Sequence, residues 1–316
     1  VLDNRARNTC VAVTTSSELR ERLFNAGYVA DEDLADLLWM GLTLERPILI
    51  EGAAGVGKTA IAGASARALG RRLLRLQCYE GLDLSQSVYE WNYSRQLLEI
   101  RLAEAGQIES AALRENLFTE RFLLERPLLQ AIRCTEPCIL LIDEIDRADE
   151  AFEAFLLEML SEYQVTVPEL GTLVALSKPL VVLTSNGTRD LSDALRRRCL
   201  FHYLDFPSLA REMQIVRTLV PDAGARLVEE AVAFVQRLRR EDLEKTPGIA
   251  ETLDWVRVLF GLGHAELPAD PRLLMPTLAA LVKTRNDRWQ LTAERLGKLL
   301  DGPRSAQDPS VAVPPA

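Results

Sequence analysis

The chain has 316 residues, 48% of them hydrophobic and 26% charged, with a formal net charge of −9. This is room for about two globular domains with sizeable cores. The acidic balance argues against a surface built mainly to hold nucleic acid. No apolar run reaches the roughly 18–20 residues of a membrane span. The opening VLDNRARNTCVAVTT carries no apolar signal core, so the cytoplasm is the expected compartment. Five scattered cysteines (Cys10, Cys78, Cys134, Cys138, Cys199) and two histidines suggest buried thiols rather than a disulfide framework or a zinc set.

In chain order, amphipathic spacing predicts helices over 16–27 and 31–42, the second opening on acids. The apolar ILIEG after Pro47 reads as a short buried strand that ends in a turn. A helix closed by Gly70 follows, then a strand over 72–78. Residues 84–133 read mostly as helix, with Pro127 a kink or a break. CILLID, ending at Asp143, has apolar residues for both faces, as a central parallel strand needs. A helix over 150–163 and a hairpin over 164–176 come next, then a strand over 179–186. Alternating strand and helix over 47–205 predicts an α/β parallel sheet with helices on its faces.

Beyond Pro207 and Ser208 only helical periodicity remains, over 209–219, 224–240, 248–260 and parts of 271–300. The expected layout is therefore 1–206, an all-helical 207–301, and a Pro-rich tail over 302–316 expected to be disordered.

The strongest motif is GAAGVGKT. It fits the phosphate-binding pattern, with a strand before it and a helix after. Gly52, Gly55 and Gly57 let the backbone wrap a phosphate chain, and the following helix adds its positive end. Gly52, Ala53, Ala54, Gly55, Val56, Gly57, Lys58, Thr59 and Ala60 are the candidate nucleotide-binding residues. Lys58 would reach the β- and γ-phosphates of ATP, and Thr59 would ligate Mg²⁺.

In LLIDEIDRADE, Asp143 is the candidate Mg²⁺-side acid and Glu144 the candidate base for water. Asp149 and Glu150 fit a helix start. Asp146 and Arg147 are either subunit-interface charges or a local ion pair. Asn186 ends an apolar strand, where its amide either closes a turn or contacts the γ-phosphate. Arg196, Arg197 and Arg198 end a helix, where cations suit the dipole. The sharper reading of that cluster is an arginine finger that reaches a neighbouring subunit's nucleotide. Trp91 and Tyr93 are either core or a grip for a partner.

Together these blocks resemble the AAA+ ATPases, more narrowly the MoxR type and its CoxD-like branch, accessory ATPases of carbon monoxide dehydrogenase and related molybdenum hydroxylases. The segments that carry the likeness are CYEGLDLSQSVYEWNY, LLIDEIDRAD, QVTVPELGT, LTSNGTRDLSDALRRRCLFHYLDFP and ETLDWVRVL, and it covers roughly residues 17–300. The resemblance implies an αβα AAA+ module with a small helical lid, a hexameric ring, and a presensor-1 hairpin at 164–176. It implies sensor 1 at Asn186 and the finger at Arg198 or Arg197. It also implies a partner with a von Willebrand factor A domain and a client metalloenzyme. The lid departs from the pattern. TPGIAETLDW, with Thr246 as N-cap and Pro247 opening the helix, has Ile249 and Ala250 where a sensor-2 arginine is common. Lys245 and Arg257 are the candidate substitutes.

Three functions are compatible with these residues. The leading one is an ATP-driven ring chaperone that remodels or matures a client. A nucleic-acid motor would need more basic surface than RRLLR (71–75) and RLRRE (237–241) offer. An assembly switch without turnover is opposed by Glu144.

Overall fold

The computed structural model describes residues 13–105 and 117–302. Cys10 and the expected tail beyond Gly302 lie outside them. Chain contacts divide the protein into two compact units. Of the described residues, one comprises those up to Ala26 with those of Ala30–Gly52 and Lys58–Leu204, and the other those of Gly27–Val29, Ala53–Gly57 and from Asp205 on.

The first unit is built on five parallel strands: β1 (Ile48–Glu51), β2 (Leu73–Gln77), β5 (Ile139–Asp143), β8 (Leu180–Ser185) and β9 (Leu200–Tyr203). Their order is β2-β5-β8-β1-β9. Every residue of β5 and β8 is buried, as expected for strands covered on both faces. The edge strands β2 and β9 bury less and carry Arg75, His202 and Tyr203. The register sets Glu51 beside Ser185, and Ile142 beside Leu183, so the polar ends of β1, β5 and β8 gather at one rim. In an open α/β sheet that rim, at the carboxyl ends of the strands, is where ligands bind.

Residues 84–133 correct the helical expectation. Tyr89–Trp91 (β3) and Leu123–Glu125 (β4) form a small antiparallel pair. Pro127 opens a new helix, Pro127–Arg133, at the position where its missing N–H costs nothing. Trp91 lies in β3, is buried, and stacks edge-on against Phe118 with ring centroids 5.3 Å apart. Tyr93 opens the helix Tyr93–Ala105 and is exposed, as are Leu97 and Leu98. The helix Glu150–Glu162 starts as expected: the Asp149 carboxylate accepts from the Phe152 N–H at 2.8 Å. Gln164–Val167 (β6) and Gly171–Val174 (β7) form the expected hairpin.

In the second unit, Leu209–Leu219, Ala225–Leu238 and Ile249–Gly261 are the main helices, and Phe234 and Trp255 meet in the core at 5.1 Å. The third of these begins later than the sequence suggests. Its N-cap is Gly248, whose N–H donates to Glu251 at 3.0 Å. The Pro247 carbonyl is already held by Arg239 at 2.8 Å, so Thr246 and Pro247 stay outside the helix. The Ile249 N–H, one of the donors a helix start leaves unpaired, reaches the Gly55 carbonyl at 2.9 Å. A Cβ on Gly248 would lie 2.6 Å from the Gly55 Cα, so this backbone approach requires glycine. Of the candidate sensor-2 substitutes, Arg257 pairs with Asp254 on the surface, and the Lys245 backbone N–H donates to Asp287. Among the described residues no helix is long and apolar enough to cross a membrane.

Candidate functional site

Gly52 follows β1 directly. A Cβ there would lie 2.2 Å from the Leu204 carbonyl oxygen, so only glycine fits. Lys58 and Thr59 open the helix Lys58–Leu69. The buried Lys58 ammonium donates to the Gly52 carbonyl at 2.6 Å and to Asn186 Oδ1 at 2.9 Å. Burial pulls its pKa down, and Asp146, Asp143, Glu144 and Glu51 oppose that pull without cancelling it. The structure thus brings Lys58 and Asn186, 128 residues apart in sequence, into direct contact. The remaining predicted loop residues divide by exposure: Ala53, Ala54, Gly55 and Ala60 are exposed, Val56 is buried, and Gly57 is half-buried.

Asp143 ends β5 and is 2% exposed. Its carboxylate accepts from Thr59 Oγ1 at 3.0 Å, from Thr184 Oγ1 at 2.6 Å, and from the Arg75 guanidinium at 2.6 Å. A hydroxyl and a carboxylate this close fit a magnesium ion, which takes few protein ligands and keeps water and phosphate oxygens for the rest.

Glu144 has φ +56°, the left-handed region that a non-glycine residue rarely adopts. Its N–H donates to Thr184 Oγ1 at 3.0 Å, and its carboxylate accepts from Arg147 at 3.0 Å. Strain of this kind is held only where the surroundings over-determine it, and it clusters at functional sites. Here β5 and the following turn turn the two adjacent carboxylates in different directions. Asp143 is bonded inward while Glu144 is about a third exposed.

Asp146 is also buried, and its bonds run to residues 186–188, while the local ion pair of this turn joins Arg147 to Glu144. Asp146 Oδ2 accepts from the Asn186 N–H at 3.2 Å, the Thr188 N–H at 3.0 Å and the Thr188 hydroxyl at 2.6 Å. Burial pushes its pKa up, but hydrogen bonds from Thr188, Asn186 and its own backbone outweigh it and hold the carboxyl below its ordinary value.

The three arginines of the helix Asp193–Arg198 differ. Arg196 pairs with Glu51 at 3.0 Å. Arg198 donates to Ser161 Oγ at 2.7 Å and to the Ala194 carbonyl at 3.3 Å. Arg197 is exposed, and its side chain has no hydrogen-bond or ion-pair partner among the described residues.

Three contributors went unpredicted: Arg75, Thr184 and the Asp146 contacts. The first two had a signal. Arg75 is the only charge in the strand LLRLQ, and Thr184 is a hydroxyl that follows the apolar run of the strand LVVLTS. The Asp146 contacts span 40 and 42 residues and had none.

Residues 47–199 match the AAA domain of the dynein-related subfamily. That span contains the whole site described above, from Gly52 to Arg198. Over 264 residues the chain is 25% identical to the gas vesicle ATPase GvpN2 of Halobacterium salinarum, covering 80% of this chain and 74% of that protein. It is 28% identical over 226 residues to GvpN1 of the same organism, covering 66% and 60%. It is 27% identical over 262 residues to GvpN of Haloferax mediterranei, covering 80% and 73%. With the parallel sheet, the lysine at the loop's end and the acid at the end of β5, these likenesses identify a P-loop AAA fold and an ATP hydrolase.

Proposed function

We propose that the chain is a ring-forming MoxR-type AAA+ ATPase of the CoxD-like branch, which spends ATP to remodel a client enzyme or mature its metal cofactor. Residues 1–206 form its nucleotide module and 207–301 its lid. The backbone of Gly52–Gly57 and the Lys58 ammonium hold the phosphates. Thr59 and Asp143 would hold Mg²⁺, which would supply charge neutralisation to the phosphates when bound. Glu144 takes the proton of the attacking water, and Asn186 aligns that water against the γ-phosphate. The observation that carries this reading is the convergence of Lys58 on Asn186 and of Thr59 on Asp143, within 3.0 Å each.

The finger is Arg197, supplied by the adjacent subunit of a hexamer. Its freedom, against the local bonds of Arg196 and Arg198, supports that choice. The hairpin β6–β7 faces the pore or the partner, a von Willebrand factor A protein. The client is a molybdenum hydroxylase such as carbon monoxide dehydrogenase, a choice supported by the CYEGLD, YEWNY and DALRRRC segments. A gas-vesicle client is the second reading, favoured by the names of the relatives. The Glu144 geometry opposes a switch without turnover.

Mixing two inactive variants tests the ring. Arg197→Ala subunits keep an intact Glu144, and Glu144→Gln subunits keep an intact finger. An equimolar mixture recovers ATPase activity if the finger acts between subunits. A mixture as inactive as its components contradicts it.

A further inference from the structure

Asp146 is left over from the ATP chemistry, yet it is 4% exposed and sits three residues after Asp143. A buried carboxylate must be compensated, and each compensating bond here comes from one short segment, residues 186–188. Two backbone N–H groups and a hydroxyl converge on a single oxygen, Oδ2. The other oxygen, Oδ1, is buried and has no hydrogen-bond partner. The turn Ile145–Arg147 thereby grips the loop that follows β8, and the first residue gripped is Asn186. The opposite end of Asn186 meets Lys58 at 2.9 Å. A displacement of the Asn186 backbone therefore moves its amide relative to the ammonium.

We propose that Asp146 is a positioning residue, which acts through Asn186 to hold the amide at the γ-phosphate end of the site. This rests on the ATPase reading, in which Asn186 senses the γ-phosphate. Asp146 touches no reacting atom. It makes the acid strand and the sensing loop move as one body, so that the site distinguishes ATP from ADP.

The test is a double-mutant cycle of Asp146→Asn and Asn186→Ala, read by turnover and by affinity for ADP and for a slowly hydrolysed ATP analogue. Each single change is expected to lower kcat by about tenfold or more and to reduce the preference for the ATP analogue, with ADP affinity within about threefold of wild type. The double variant is expected to lose little beyond either single, because residues that act through one another are not additive. Fully additive losses overturn the positioning role while leaving the sensing role of Asn186 intact. An Asn186→Ala variant with unchanged turnover overturns both. If Asp146→Asn does not fold, Thr188→Val removes one of the three bonds and keeps the charge. It should shift the same nucleotide preference by about threefold, and no shift in that variant overturns the proposal.

Discussion

Glu212 of the helical unit and Asp143 of the sheet unit are each buried against an arginine, and the two pairs are built differently. In the helical unit, Glu212 is fully buried and Arg239 grips both its oxygens at 2.6 and 2.7 Å. Thr252 and Gln236 fill the remaining acceptor sites, and Arg239 lies over the Phe206 ring. Both charges are out of water, with side-chain exposures of 6% and 0%. In the sheet unit, Asp143 is equally buried, but its arginine is 53% exposed and its other partners are two rotatable hydroxyls. The first pair is closed: no partner can leave without stranding a charge. The second is open on one side, so on the proposed reading its partners can be exchanged for a cation carried in with the nucleotide. The lesson is that burial of an acid alone does not mark a site; the exchangeability of its partners does.

That contrast is sharpest when the acids are removed. Glu212→Ala strands the buried Arg239 and should cost the helical unit about 3–5 kcal/mol, read by thermal unfolding followed through Trp255. Asp143→Ala leaves Arg75 able to turn into water. It should cost only about 1–2 kcal/mol while abolishing Mg²⁺-dependent turnover. Equal stability losses in the two variants would break the comparison. The arginine side gives a smaller effect. Arg75→Ala should change stability by about 1 kcal/mol or less. It should also lower the Mg²⁺ concentration needed for half-maximal nucleotide binding, because a competing cation is gone. An unchanged Mg²⁺ requirement would mean that Arg75 does not contest the carboxylate.

The open site was largely legible in the sequence because it is built from contiguous motifs. GAAGVGKT and LLIDE each sit at a strand end, and apolar run lengths fix where strands end. The helical unit's three main helices were legible by periodicity for the same reason. What was not legible depends on contacts between distant segments. Asp146 was left between an interface charge and a local ion pair because its partners, Asn186 and Thr188, lie 40 and 42 residues on. The Glu212–Arg239 pair gave no signal, since each residue also fits an exposed helix face. The strands β3 and β4 were read as helix because their three-residue segments, YEW and LLE, are too short to show a period of two. The helix expected to be capped by Thr246 starts at Ile249, capped by Gly248, whose N–H bonds Glu251 while the Ile249 N–H makes a tertiary contact with Gly55. The backbone strain at Glu144 is likewise invisible to pattern.

In the proposed reaction Glu144, held at a strained φ beside the bonded Asp143, activates water for ATP hydrolysis. Glu144→Gln keeps the shape of the side chain and removes its basicity. Binding of Mg·ATP and single-turnover hydrolysis, measured on the same preparation, test it most directly. Nucleotide affinity is expected within about threefold of wild type, and the hydrolysis rate lower by about two orders of magnitude or more. Hydrolysis near the wild-type rate, with nucleotide still bound, would contradict it.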